Sequence, residues 1–449
     1  MKTDLPRKPR VVIVGAGFAG ISLARALRHA NVEVRLVDAQ NYHTFQPLLY
    51  QVATAGLEPE SIAHTVRGIF HKQRNIDFVL GKVVSVDRTT KTVTLENGTV
   101  LVYDYLALAT GASTNFYGIE GVAEHSFTLK SIEDAMGLRS HILSVFETVN
   151  VHPELLKEGW LNFVVVGGGP TGVEMAGALM ELFGMVLRKD FPHLPVGEAK
   201  VYLIEATPNV LGPFRPNHRA YTVKTLELRG VQVMTDTRVV KATADAVHLH
   251  TGMTIPTQTL IWAAGIRVNP LADVLGVQQA QGGRIVVQPD LRLPDDPHVF
   301  VMGDMAASLD DQGKLHPQLA PNAMQSGRHV AQQIENLVEG RETAPYRYFD
   351  KGIMATIGRN AAVSETPWGF RAKGFVAWLG WLFVHLMYLV GFRNRFLVFF
   401  DWFWNYVSYD RSARMIFPLQ DQHPSKWTAV LRRKLTTAPT PDGCISKLP

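Results

Sequence analysis

Apolar strand-like runs that break into glycines and then resume at helical spacing organise the first two-thirds of the chain. In "VVIVGAGFAGISLARALRHA" (residues 11–30), four consecutive apolar residues give way to Gly15, Gly17 and Gly20, and a helical pattern follows. The next stretch, "VEVRLVDA", reads as a second strand closing on Asp38. The same order returns in "LNFVVVGGGPTGVEMAGAL", with Gly167, Gly169 and Gly172, and then in "KVYLIEA", ending on Glu205. Downstream of each motif, residues 76–111 and 231–265 give short alternating strands, a glycine turn and a last apolar strand ending in Gly111 or Gly265. A further buried strand, "HVFVMGDMA" (298–306), runs into Gly303 and Asp304. The pattern predicts an α/β protein of two duplicated Rossmann-type halves, each with a β-meander.

The glycines have distinct jobs. Gly15 and Gly167 permit the tight turn, Gly17 and Gly169 let a diphosphate approach the backbone, and Gly20 and Gly172 let helix and strand pack closely. The helix N-terminus attracts the phosphates, and an acid at the end of the next strand accepts hydrogen bonds from a ribose diol. Two such sites imply two dinucleotides. Glu205 would repel a 2′-phosphate, which favours NADH over NADPH. It lies farther from its glycines than the usual ~20 residues, so 178–199 should hold a longer helix or an insertion.

Near the end the pattern changes. "FVAWLGWLFVHLMYLVGF" (375–392) is almost unbroken in its apolarity, and 396–407 places Phe396, Phe399, Phe400, Phe403 and Val407 on one helical face, with Asp401 and Asn405 turned elsewhere. An 18-residue helix would span ~27 Å, close to a bilayer core, so a single crossing competes with two helices lying on the membrane. Trp378, Trp381, Trp402 and Trp404, with Arg393 and Arg395 between the runs, suit the headgroup boundary and favour the surface reading. Because the first run is apolar nearly all round, a homodimer is expected to cover one side of it.

Composition adds limits. The chain has 449 residues, too many for one core. It is 46% hydrophobic and 19% charged, which excludes a disordered chain. A net charge of +5 suits anionic lipid, and no nucleic-acid partner is expected. The single cysteine, Cys444, excludes a disulfide framework or redox dithiol within one chain. The N-terminal glycine pattern argues against a signal peptide, so a cytoplasmic location is expected. His248 and His250 share a strand face without a third ligand nearby, and no metal site is expected. The basic residues Lys426, Arg432, Arg433 and Lys434 are expected to meet anionic lipid or solvent.

The first glycine motif, "ATG" at 109–111, the second glycine motif and "GD" at 303–304 together resemble the two-dinucleotide-binding-domain flavoprotein reductases. "NYHTFQPLLYQVATAGLEPESIA" (41–63), "YFDKGIMATIGRNAAV" (348–363) and the apolar tail narrow the resemblance to type II NADH dehydrogenases, single-subunit NADH:quinone oxidoreductases. The resemblance implies FAD bound without a covalent link in a domain of residues 1–120 and 290–345, NADH in 121–289, and a C-terminal region 346–449 with membrane-anchoring helices at about 375–392 and 396–407. For FAD it implies Gly15, Gly17, Phe18, Ala19, Gly20, Asp38, Gln46, Gln51, Val83, Thr110, Gly111 and Asp304; for NADH, Gly167, Gly169, Thr171, Gly172, Glu205, Ala264 and Gly265. For the quinone it implies Ala320, Pro321, Met324, Gln325 and Lys351, with Glu174 and Gln325 as catalytic residues. Glu174 is expected to be a charged group near nicotinamide and flavin that assists proton delivery. "LAPNAMQSG" departs from the family's A-Q-x-A-x-Q by placing Pro321 at the first Gln. His385 could contact a quinone oxygen or bond to backbone.

The implied activity is non-pumping oxidation of NADH with two-electron reduction of a membrane quinone, on the cytoplasmic face of a bacterial inner membrane in a respiratory chain. Two other readings fit the same motifs: a reductase of a soluble electron-carrier protein that needs no tail, and a flavin-bearing scaffold resembling apoptosis-inducing factors.

Overall fold

The computed structural model describes residues 7–408 and 413–417. Lys426, Arg432, Arg433, Lys434 and Cys444 lie outside the described residues. The first sheet has six strands in the spatial order Arg292–Leu293, Asp296–Val301, Tyr105–Leu108, Arg10–Val14, Glu33–Asp38, Ile76–Leu80. All pair in parallel except Arg292–Leu293. The second sheet repeats the scheme with five parallel strands: Ser126–Phe127, Thr259–Trp262, Asn162–Val166, Lys200–Ile204 and Val231–Met234. The central strands Arg10–Val14 and Asn162–Val166 are buried beyond their first residue, which explains why they read as continuous apolar runs rather than alternating ones.

Each half carries a three-stranded antiparallel meander, at 83–102 and 239–256. The halves are joined where Ala112–Thr114 pairs antiparallel with Ile266–Val268. The helix Pro170–Glu181 continues through a wider π-helical turn, Leu182–Leu187, into Arg188–Asp190, and so takes up much of the long connection to Glu205. A C-terminal antiparallel sheet, Ile353–Gly358, Ala361–Glu365 and Arg371–Gly374, packs against that helix.

The terminal apolar run differs from its predicted bounds. The helix covers Phe375–Tyr388 rather than 375–392, and the next begins at Phe392 and runs to Ser408. At ~1.5 Å per residue the first is ~21 Å long, and no described helix is long and apolar enough to cross a membrane. The break sits at Leu389–Gly391. Leu389 turns to extended backbone and is buried, while Gly391 has φ +87°, and a Cβ there would fall 2.9 Å from the His64 ring. A left-handed residue cannot continue a right-handed helix.

The tryptophans divide as well. Trp381 is buried rather than interfacial, with Ala377, Leu389 and Val398, in the largest core cluster, which also contains the 45–62 segment and the second Rossmann half. Burial of one stripe within the chain accounts for part of the apolarity of the first helix, while Phe375, Val376, Leu379, Phe383 and Met387 remain exposed. The second helix turns its polar positions inward: Asn394 Nδ2 donates to Ala63 O at 2.9 Å, Asn405 Nδ2 to Gly56 O at 2.9 Å, and Asp401 faces Ser61. Phe396, Phe399, Phe400, Phe403 and Val407 point outward and are more than half exposed.

Candidate active site

At the first motif the glycines are fixed by space. Gly15 has φ +107°, and a Cβ on it would lie 2.4 Å from Ala109 O; a Cβ on Gly20 would lie 1.8 Å from Gly15 O. A Cβ on Gly17 would meet nothing within 4 Å. The second motif repeats this: Gly172 is pressed to 1.8 Å from Gly167 O, and Gly169 faces open space. Two helix N-termini therefore each carry one open glycine, the shape that a dinucleotide diphosphate fits.

The acids are placed alike. Asp38 accepts from Ala16 N at 2.5 Å and Gln40 N at 2.8 Å. Glu205 accepts from Gly168 N at 2.6 Å and Thr207 N at 2.8 Å. Burial raises the Asp38 pKa while those backbone amides oppose the shift.

Around the first motif, Phe18 sets its ring edge-on to His43 and Phe45, and Ala19 meets Gly303. Thr110 N and Oγ1 approach Met305 Sδ at 3.2 and 3.0 Å, next to Gly111. Val83 is half-buried in its meander, and Gln46 Nε2 donates to Lys130 O at 3.4 Å. Asp304 is half-buried, and desolvation raises its pKa, against Lys130 and Arg284. Around the second motif, Thr171 is exposed at the start of the helix, and Ala264 and Gly265 follow the strand Thr259–Trp262, with Gly265 beneath Tyr117. The fit to FAD and NADH rests on these open cradles and the acids that flank them.

A cavity of about 480 Å³ runs beside the second motif. Its buried end holds Glu174, Gln51, Tyr50 and Thr356, and its exposed end is lined by Phe375, Phe383, Phe399 and Phe403. Gln51 joins the two ends: its Nε2 donates to the Tyr50 hydroxyl at 2.9 Å and its Oε1 accepts from Trp402 Nε1 at 2.7 Å. Glu174 accepts from Thr356 N at 3.3 Å. Burial raises its pKa to about 8, against the Thr356 amide and the Trp381 indole. No cation repays its desolvation, so burial favours the protonated form of this carboxyl over the charged one.

At the rim, Glu181 accepts from Arg229 at 2.8 Å and from the Arg359 amide, and the Arg359 guanidinium lies 3.9 Å over the Tyr406 ring. His385 Nδ1 lies 2.7 Å from Trp381 O, and its ring stacks on Trp381 at 3.9 Å. Burial lowers its pKa to about 4, so it is neutral and tied to backbone.

The residues implied for the quinone lie elsewhere. Ala320, Pro321, Met324 and Gln325 open the helix Ala320–Val338, and none of them lines the cavity. The Gln325 amide exchanges hydrogen bonds with Phe349 backbone at 2.9 and 3.0 Å, and Lys351 Nζ donates to the Tyr388 hydroxyl at 2.9 Å. Sequence reasoning passed over Tyr50 and Thr356. Tyr50 and Thr356 lie within quoted segments but have no spacing that marks them. His248 and His250 contact Thr254 and the Arg238 amide, and among the described residues no three His, Cys, Asp or Glu converge as a metal site.

Residues 9–327 match the pyridine nucleotide-disulphide oxidoreductase family, and residues 351–408 match the NDH2 C-terminal domain. Two Mycobacterium tuberculosis proteins, the type II NADH:quinone oxidoreductases NdhA and Ndh, are 36% and 37% identical to this chain. The alignments cover 92% of this chain in both cases, and 92% and 91% of the relatives. The chain belongs to the type II NADH:quinone oxidoreductase family. Within that family, NDH2 of Plasmodium falciparum in complex with NADH superposes with a TM-score of 0.82 at 20% identity, covering 92% of this chain and all of the other, a likeness of fold. The sulfide:quinone oxidoreductase of Aquifex aeolicus reaches a TM-score of 0.66 at 20% identity over 96% of each chain. The broader family's name refers to a disulphide, which this member's single cysteine cannot form within the chain.

Proposed function

We propose that this respiratory NADH:quinone oxidoreductase holds FAD at the first glycine motif and NADH at the second, and admits the head of a membrane quinone to the cavity beside Glu174. The observation that carries this reading is one continuous cavity reaching from a buried, proton-bearing carboxyl to a ring of exposed phenylalanines. FAD, when bound, supplies the chemistry that couples hydride removal from NADH to two-electron reduction of a quinone.

The chain supplies the rest. The helix N-termini at Gly17 and Gly169 orient the two diphosphates, and Glu205 excludes a 2′-phosphate. Glu174 holds a proton where a quinone oxygen would approach, and the Tyr50–Gln51–Trp402 bonds keep that end of the cavity in shape. The exposed phenylalanines, seated at the headgroup boundary, place the cavity mouth where a long-chain quinone dissolves. The site then lies on the cytoplasmic face of a bacterial inner membrane, and turnover moves no proton across it. A homodimer is not needed to explain the first terminal helix, whose buried stripe is satisfied within the chain.

The test is NADH oxidation by the detergent-solubilised, FAD-replete protein with a short-chain quinone, and with NADPH as control. Fast, quinone-dependent turnover selective for NADH is expected. Replacement Glu174→Gln should lower quinone-dependent kcat about 10–100-fold while flavin reduction by NADH stays within about twofold. Flavin reduction with no transfer to quinone would overturn the reading and favour a protein acceptor.

A further inference from the structure

The second terminal helix reaches the cavity through one directional hydrogen bond. Trp402 Nε1 lies 2.7 Å from Gln51 Oε1, and Gln51 Nε2 lies 2.9 Å from the Tyr50 hydroxyl. An indole nitrogen donates and never accepts, so the Gln51 amide has one orientation here: its oxygen faces Trp402 and its NH2 group faces Tyr50. The flipped amide would set two donors against each other.

The main chain of Gln51 is held as well. It lies in the short helix Leu49–Ala53, and its carbonyl accepts from Gly56 N at 2.6 Å and from Leu57 N at 3.3 Å. Gly56 O in turn accepts from Asn405 Nδ2 at 2.9 Å. Trp402 and Asn405, both in the helix Phe392–Ser408, therefore fix Gln51 through its side chain and through the turn that follows it. Ring packing braces the indole: Trp402 lies 6.0 Å from the ring of Trp381, which stands edge-on to Tyr50 at 6.4 Å and stacks on His385 at 3.9 Å.

An amide NH2 carries two hydrogens. One goes to the Tyr50 hydroxyl, and the other has no acceptor among the described residues. Gln51 lines the cavity at the same end as Glu174, where most of the wall is aromatic or aliphatic. A donor left without an acceptor in such surroundings is costly, and a donor already held in place loses little freedom when an acceptor arrives. A quinone head is a flat ring with two carbonyl oxygens, which accept hydrogen bonds and donate none.

We propose that Gln51 donates its second amide hydrogen to a carbonyl oxygen of the quinone head, and that Trp402 is the positioning residue that points it there. The inference rests on placing the quinone in this cavity. Family resemblance implies Gln51 for FAD, whereas its bonds to Tyr50 and Trp402 set it among the cavity residues. Reduction puts negative charge on the quinone oxygens, so the bond strengthens as quinol forms and its loss falls on kcat as well as on KM.

The test uses the full-length, FAD-replete protein and a short-chain quinone labelled with carbon-13 at its carbonyls. In infrared difference spectra the bound quinone should show a carbonyl band lowered from that of the free quinone in the wild type and returned toward it in Gln51→Met, a shift that packing alone does not produce. Gln51→Met should lower quinone-dependent kcat/KM about 5–30-fold, with flavin reduction by NADH within about twofold of the wild type. Trp402→Phe keeps a ring and removes the donor; it should cost about 3–10-fold alone and nothing further in the Gln51→Met background, because it acts only through the amide. If Gln51→Met fails to fold by circular dichroism, the carbonyl band in Trp402→Phe, split or returned toward the free quinone, carries the same comparison. An unshifted band in the wild type, a band unchanged by the substitutions, or additive losses in the double variant would overturn the proposal. Loss of FAD or a changed flavin midpoint potential in Gln51→Met, with quinone kinetics intact, would overturn it in favour of a flavin contact. A wild type whose flavin is reduced by NADH but passes no electrons to quinone would instead overturn the quinone reading on which the proposal rests.

Discussion

Glu174 lies in the helix Pro170–Glu181 that begins at the second glycine motif, yet its environment is made by residues from far along the chain: Thr356 at 3.3 Å and the Trp381 indole. Its pKa of about 8 in the folded protein exceeds the ordinary value of 4.5. Between those two values the folded chain keeps a proton that the unfolded chain has lost, so stability falls as pH rises through that window. The slope from this one group is at most about 1.4 kcal/mol per pH unit and vanishes above the upper value. Replacement Glu174→Gln should therefore stabilise the protein more at pH 8.5 than at pH 5.5, as read from denaturant midpoints. An equal effect at both pH values would mean that the carboxyl is already ionised at neutral pH. His43 and His385 act with the opposite sign. Both pKa values are pushed down to about 4 by burial, so the stability they permit is present above their ordinary 6.5 and is lost as pH falls below it.

At the scale of the element, the glycine-led strand–helix units and both meanders were legible because their signals are local: strand, glycine spacing, helix and acid follow within a few dozen residues. The end of the first terminal helix was not. Its stop at Tyr388 depends on Gly391 lying against His64, more than three hundred residues earlier, which no window of the tail contains. The amphipathic reading of the second terminal helix fared better, because the inward Asn405 and outward Phe399, Phe400 and Phe403 obey the 3.6-residue period. Replacing Phe396, Phe399, Phe400 and Phe403 together by Ser should leave NADH-dependent flavin reduction intact and weaken binding to anionic lipid vesicles at least about a hundredfold, since each buried Phe contributes about 1.5–3 kcal/mol. Vesicle co-sedimentation measures this, and undiminished binding would assign the membrane contact to another surface.

Across the whole molecule, the terminal helices are part of the fold rather than an appendage. Ala377, Trp381, Leu389 and Val398 are buried in the same cluster as Phe163, Val165 and Leu203 of the second Rossmann half. Deleting residues 375–449 therefore cannot by itself separate membrane attachment from catalysis, because it opens the largest core. Replacement Trp381→Ala alone should cost about 3–5 kcal/mol in equilibrium denaturation. A loss below about 1 kcal/mol would show that the helices dock only loosely.

The inward hydrogen bonds of the second terminal helix have a kinetic corollary. With Asn394, Asp401 and Asn405 bound to the 56–63 backbone and side chains, the outer face presents mainly the rings of Phe396, Phe399, Phe400 and Phe403, and Phe399 and Phe403 also line the cavity. On the proposed membrane contact, a quinone would enter by lateral diffusion and leave by the same path as quinol, without crossing water. The concentration the enzyme responds to is then a mole fraction in the lipid. Diluting the bilayer with inert lipid at constant total quinone should slow turnover as surface dilution, while adding water should not.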